Sequence, residues 1–169
     1  MLETKDLILD KARFEDWKPM YRNVWSRPES FRYMLPELSP DEAEAQDRMR
    51  RTIAFQKERE TAYTIFLKST GEAIGFTGIA RVEGYVWEET GICIGPGFWR
   101  RGYGWQVLQT LLAYAKELGA DTFLYSAWEE NAASRALAVK AGFALYAVEQ
   151  HTRPYDGRRY TLLKYQKEL

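Results

Sequence analysis

Between Glu88 and Gly119 the chain changes its hydrophobic period, and that change restricts the possible folds more than any other feature of the sequence. Glu89, Thr90, Gly91, Ile92, Cys93 and Ile94 alternate as a strand does, and a glycine-rich turn follows from Gly95 to Gly104. Val107, Leu108, Leu111, Leu112, Ala115 and Leu118 then recur at a period of about 3.6, which puts them on one face of a helix. Gly119 ends that helix as a C-terminal cap. The rest of the chain is expected to be built around this strand, turn and helix.

The turn carries chemistry. In Trp99-Arg100-Arg101-Gly102-Tyr103-Gly104, two glycines let the backbone approach a ligand closely, while the unsatisfied amides of a helix start point at it. Arg100 and Arg101 add positive charge, so the segment predicts an anion site. Two nucleotide-binding loops are excluded. A P-loop requires Gly-Lys-Ser/Thr at its end, but Gly104 is followed by Trp105 and Gln106; a dinucleotide fingerprint requires a third glycine where Val107 stands.

At 169 residues, with 46% hydrophobic and 15% aromatic content, the chain can bury a full core, and one domain over residues 1–169 is expected. Lys plus Arg balance Asp plus Glu at 24 each, so no overall field draws the chain to nucleic acid or to an anionic membrane. A small molecule or a short peptide fits that balance better as a partner. Cys93 is the single cysteine, which rules out an internal disulfide and a cysteine-cluster zinc site, and its place in an alternating strand reads as packing. No apolar run approaches a membrane span, and Glu3, Lys5 and Asp6 near Met1 leave no room for a signal-peptide core, so a cytoplasmic location is expected.

Taken in order, residues 5 to 13 read as a short strand with Leu7 and Leu9 on one face, and Phe14, Trp17, Tyr21, Val24 and Trp25 as an aromatic helix. Ser39-Pro40-Asp41-Glu42 has the form of a capping box with Ser39 as cap, opening a helix that runs to about Glu58 with Met49 and Ile53 inward and Gln46 a further candidate. Tyr63 to Leu67 and Ala73 to Val82 read as a hairpin around Ser69-Thr70-Gly71-Glu72, leading through Gly84 into the central strand. Thr122 to Trp128 reads as a strand, Asn131 as the N-cap of a helix from Ala132 to Ala141, and Gly142 as its stop. Tyr155-Asp156-Gly157-Arg158 predicts a hairpin with a two-residue Asp-Gly turn. His151, the sole histidine, lies on the first arm of that hairpin with no motif around it, which favours a surface role.

The strand, the Arg100 to Gly104 turn and the following helix resemble motif A of the GNAT acetyltransferases, whose loop amides hold the pyrophosphate of acetyl-CoA. Trp99 stands at a motif position that is commonly Gln or Arg, a variant similar to the RimJ/RimL branch of ribosomal-protein N-terminal acetyltransferases. Asn131, Ala133, Ser134 and Gly142-Phe143 resemble motif B of the same family. The resemblance implies an α/β single-domain GNAT fold, with a mixed, mostly antiparallel central sheet flanked by helices. It implies acetyl-CoA as cofactor, held by Ile92, Ile94, Arg100, Arg101, Gly102, Tyr103, Gly104, Trp105, Asn131 and Ser134, and an amine acceptor, either a peptide N-terminus or a small molecule. A monomer or a homodimer is consistent with it.

Acetyl transfer to an amine requires a polarised thioester carbonyl, an acceptor for the amine proton, and stabilisation of the departing thiolate. The resemblance to motif A implies that the carbonyl faces a backbone N–H of the central strand, and the offset from Pro96 makes Ile94 the candidate. Glu88 and Glu89, at the entrance to the central strand, are candidates for the second, against the plainer reading of a solvated acidic pair. A tyrosine commonly found in motif B would supply the third, but Ala138 occupies its position; by resemblance to RimL-like enzymes the part falls to Ser134. The competing expectation is a noncatalytic acyl-CoA-binding module, in which the phosphate loop survives without a working acid and base.

Overall fold

The computed structural model describes all residues from Met1 to Leu169. Eight strands, β1 (Leu2–Glu3), β2 (Leu7–Asp10), β3 (Ala62–Leu67), β4 (Ala73–Glu83), β5 (Val86–Ile94), β6 (Thr122–Trp128), β7 (Ala144–Thr152) and β8 (Arg159–Glu168), form one sheet in the order β1-β2-β3-β4-β5-β6-β8-β7. Pairing of β5 with β6 is parallel, whereas β1–β2, β2–β3, β3–β4, β6–β8 and β7–β8 are antiparallel. A parallel neighbour needs a crossover, and helix α3 (Tyr103–Glu117) supplies it. The other helices are α1 (Trp17–Met20), α2 (Glu42–Glu58) and α4 (Ala132–Lys140). No helix is long and apolar enough to cross a membrane.

The chain divides into two compact units, one made of residues 1–78 and 90–110, the other of 79–89 and 111–169. In the first, Leu7 and Leu9 face inward and pair with Leu67 and Ile65. On the other face of these strands, Met20, Val24, Trp25, Phe31, Ala45, Met49, Phe66 and Cys93 form a second buried cluster, with Ile8 packed against it. The Arg48 guanidinium is folded into it, over the rings of Trp25 at 5.3 Å and Phe31 at 4.9 Å, and donates to the Glu37 carbonyl at 2.8 Å. In the second unit, Phe123 packs edge-on to Phe143 at 6.2 Å, Tyr125 lies 5.6 Å from the same ring, and Trp128 stacks on Tyr160 at 3.8 Å and 3°.

Several expectations are corrected. The cap of α2 is Asp41, not Ser39: the Asp41 side chain accepts from Glu44 N–H, while Ser39 is buried, its N–H bonded to Trp25 O and its hydroxyl to Arg48. Asp41-x-x-Glu44 is itself a capping pattern, and the pull of Trp25 and Arg48 on Ser39 moves the helix start to it. Leu118 is 41% exposed, because the helix ends at Glu117, one residue before Leu118 would complete the stripe. The aromatic run from Phe14 is a relay of short helical turns; Phe14 is exposed at its start and Trp25 fully enclosed at its end. The first full strand covers only Leu7–Asp10. The C-terminal hairpin closes at the Thr152–Arg159 pair, so Asp156-Gly157 belongs to a longer loop over 153–158. Two side-chain bonds from Arg153 to Asp156, 3.0 and 2.6 Å, set that loop, where a bare two-residue turn would leave the Arg153 guanidinium without its partner.

Candidate active site

In the first unit, β5 ends in a turn that presents backbone. A Cβ on Gly95 would come within 2.3 Å of Asn23 O, so only glycine lets the chain leave the strand there, and its N–H is bonded to Ile74 O at 2.8 Å. A single helical turn, Pro96–Phe98, follows, and Trp99 returns its indole N–H to the Ile94 carbonyl at 2.6 Å. Arg100 is the only non-glycine residue with positive φ, at 62°, and Gly102 has φ 76°. A left-handed arginine costs about 1–2 kcal/mol, and such conformations persist where the surroundings over-determine them, often at ligand sites.

The loop fits a pyrophosphate. Its left-handed turns alternate ahead of α3, whose first intrahelical bond from this end is Gln106 N–H to Gly102 O at 3.1 Å, so the amides of Tyr103 and Gly104 stand before the ladder. Arg100, Arg101 and Gly102 are exposed, and Arg101 is steadied by Gly97 O at 3.2 Å and the Phe98 ring at 5.6 Å. Gln106, which no sequence motif marks, ties the first turn of α3 to the turn between β1 and β2: Thr4 hydroxyl to Oε1 at 2.7 Å, Asp6 N–H to Oε1 at 3.1 Å, and Nε2 to Asp6 Oδ2 at 2.7 Å. Ile92 and Ile94 lie half-buried on β5. Cys93 between them is buried, and burial pushes its thiol up to about 12, which removes it as a nucleophile at neutral pH.

The second unit gathers the ionisable and hydroxyl groups. Rungs between β5 and β6 run Val86–Thr122, Trp87–Phe123 and Glu88–Leu124. Two residues past the last rung, Ser126 N–H meets the Glu89 carboxylate at 3.3 Å, a side chain standing in for the strand's next acceptor. The acidic pair is therefore split: Glu88 is exposed, while Glu89 is partly buried on the opposite face of the strand. Asn131 caps α4 through a bond from Ser134 N–H to its Oδ1 at 3.1 Å. The Ser134 hydroxyl is bonded to the Tyr125 hydroxyl at 2.7 Å. Ala138 is fully buried, and its methyl group carries no ionisable proton. Tyr125 escaped the sequence reading because Phe123, Tyr125 and Ala127 alternate as an ordinary inward face of β6; only the fold shows what its hydroxyl touches. His151 is exposed, pairs with Glu149 at 2.8 Å and stacks on Tyr160, a surface arrangement as expected.

A family model described as acetyltransferase (GNAT) domain matches residues 6–144, and the chain belongs to that family. Acetyl-CoA is the coenzyme of the family. Solved structures agree on the fold. The acetyltransferase (GNAT family) from Bacillus anthracis superposes with a TM-score of 0.82 at 16% identity, covering 99% of this chain and 97% of its own. The microcin C7 self immunity acetyltransferase MccE, solved with acetyl-CoA and AMP, gives 0.80 at 17%, covering 98% and 93%. An acetyl transferase from Salmonella typhimurium that modifies the N-terminal serine of a 50S ribosomal subunit protein gives 0.77 at 19%, covering 98% and 96%. Comparison with curated protein sequences returns no match.

Proposed function

We propose that this protein is an N-acetyltransferase that moves the acetyl group of acetyl-CoA directly to a primary amine, on a protein N-terminus or a small molecule. The observation that carries the reading is the left-handed Arg100, a costly conformation for a non-glycine residue, standing with Gly102 directly ahead of the α3 amides, where an anionic ligand is favoured. Bound there, the coenzyme supplies an acetyl group activated as a thioester. Arg100, Arg101, Gly102, Tyr103, Gly104 and Trp105 hold its phosphates; Ile92, Ile94 and Asn131 line its arm. Ile94 N–H is assigned to the carbonyl, where a fixed donor stabilises developing negative charge. Glu89 accepts the proton that the amine must lose, directly or through one water. Ser134 donates to the sulfur.

The binding-module alternative draws support from Ala138 alone. Tyr125 and Ser134 counter it, since together they place hydroxyl donors in the same unit as Glu89. A free-thiol release assay with acetyl-CoA, run across peptides with free N-termini and small primary amines, separates the two readings. Turnover that requires an amine and falls in Glu89→Gln is expected; coenzyme binding without turnover on any amine supports the module.

A further inference from the structure

Ser134 is held at both ends: its N–H by the Asn131 carboxamide at 3.1 Å and its Oγ by the Tyr125 hydroxyl at 2.7 Å. Acidity decides the direction of the second bond. A phenol is a stronger acid than an aliphatic alcohol, and remains so where burial weakens it, so the tyrosine donates and the serine oxygen accepts. Burial raises the Tyr125 pKa further, and the negative charge of Glu89 adds to it, so the phenol keeps its proton throughout the neutral range. The titratable groups facing it are Glu89 from β5 and Tyr165 from β8, whose ring lies 6.5 Å away. With its oxygen occupied by an incoming donor, the Ser134 hydroxyl must direct its own hydrogen elsewhere.

We propose that Tyr125 is a positioning residue that makes the Ser134 hydroxyl a one-way donor toward the coenzyme sulfur. The inference rests on the acetyl-transfer reading and extends it to a residue outside both sequence motifs. As the amine nitrogen bonds to the acetyl carbon, the carbon–sulfur bond breaks and its electron pair stays on sulfur. The Ser134 hydrogen bond holds that thiolate, which takes its proton from solvent after departure, while the proton lost by the amine goes to Glu89. Neither Tyr125 nor Ser134 ends the cycle deprotonated. The pair therefore completes by a strand tyrosine what a tyrosine at the position of Ala138 would otherwise do from α4.

Tyr125→Phe tests this with little risk to folding, since the ring keeps its packing on Phe143 and Tyr165. Loss of one aligned donor should lower kcat about tenfold with the KM for acetyl-CoA unchanged. In a Ser134→Ala background the same change should add nothing, because its route is gone. A packing role would instead multiply the two losses. An acceptor-free readout uses coenzyme A and desulfo-coenzyme A: calorimetry at mildly alkaline pH should show wild type preferring the thiol form, with Tyr125→Phe and Ser134→Ala losing that preference equally. Multiplicative kcat losses, or a Tyr125→Phe protein that keeps the wild-type preference, would overturn the inference. Failure of the wild type to bind either coenzyme would instead remove the acetyl-transfer reading, and the inference with it.

Discussion

The indole N–H of Trp99 donates to the carbonyl of Ile94 at 2.6 Å, tying the residue just before the Arg100–Gly104 turn to the last residue of β5. Half of the Trp99 surface is exposed, so hydrophobic burial alone does not explain the residue. The bond fixes where the loop leaves the strand, and so where the left-handed Arg100 begins.

Trp99→Phe keeps an aromatic ring and removes only this bond. A net loss of about 1 kcal/mol corresponds to roughly fivefold weaker acetyl-CoA binding. Calorimetry checks it; unchanged affinity would mean that the loop is set without Trp99.

Gly104→Asp places a side chain and a negative charge in the first turn of α3. Acidic residues favour a helix N-terminus, so the fold should hold, but the charge stands where a phosphate would. Wild type should gain about 2.7 kcal/mol of stability at a hundredfold excess of acetyl-CoA over its dissociation constant. The variant should melt normally and show no shift with the coenzyme; a wild-type shift would place the phosphates elsewhere.

Glu89→Gln retains an oxygen for Ser126 N–H but cannot take a proton. Its rate against pH should lose the acidic limb that wild type shows, whereas the same change at exposed Glu88 should leave the limb in place. If the limb survives in Glu89→Gln, the amine proton goes to water without a protein base.

Much of this was legible in the sequence, for local reasons. The stripe Val107, Leu108, Leu111, Leu112 and Ala115 is buried as its period demands, and Asn131 caps α4 where its type and position say it should. These errors share a cause in side-chain and backbone bonds that residue type and position alone do not reveal. Ser39 looked like a cap and is claimed by Trp25 and Arg48; Asp156-Gly157 looked like a tight turn and is drawn into a longer loop by Arg153. Tyr125 was hidden for the same reason, since its partner sits on the next helix and alternation reports only which side is inward.

The hairpin loop makes a pH prediction. Bonds from Arg153 hold the Asp156 carboxyl down at about 2, against an ordinary 3.8. A depressed carboxyl contributes stability above its unfolded value, and that contribution fades as pH falls from 3.8 toward 2. The Arg153 side-chain N–H resonance should therefore titrate with a midpoint near 2. It should lose this step in Asp156→Asn. A midpoint at the ordinary carboxyl value would show that the pair is not formed in solution.

Cys93 should resist thiol reagents at pH 8 in the native protein and react fully once unfolded, because it is buried and its thiol is raised to about 12. Fast labelling of native protein would contradict the packing described for β5.

The most direct test varies acetyl-CoA and an amine that is turned over, measuring initial rates with free thiol and acetylated amine quantified together. Direct transfer predicts equal amounts of the two products, intersecting reciprocal plots, and no acetyl group on the enzyme by intact mass when the amine is left out. Parallel plots with an acetylated enzyme, or coenzyme binding with no acetylated product from any amine, would contradict the account.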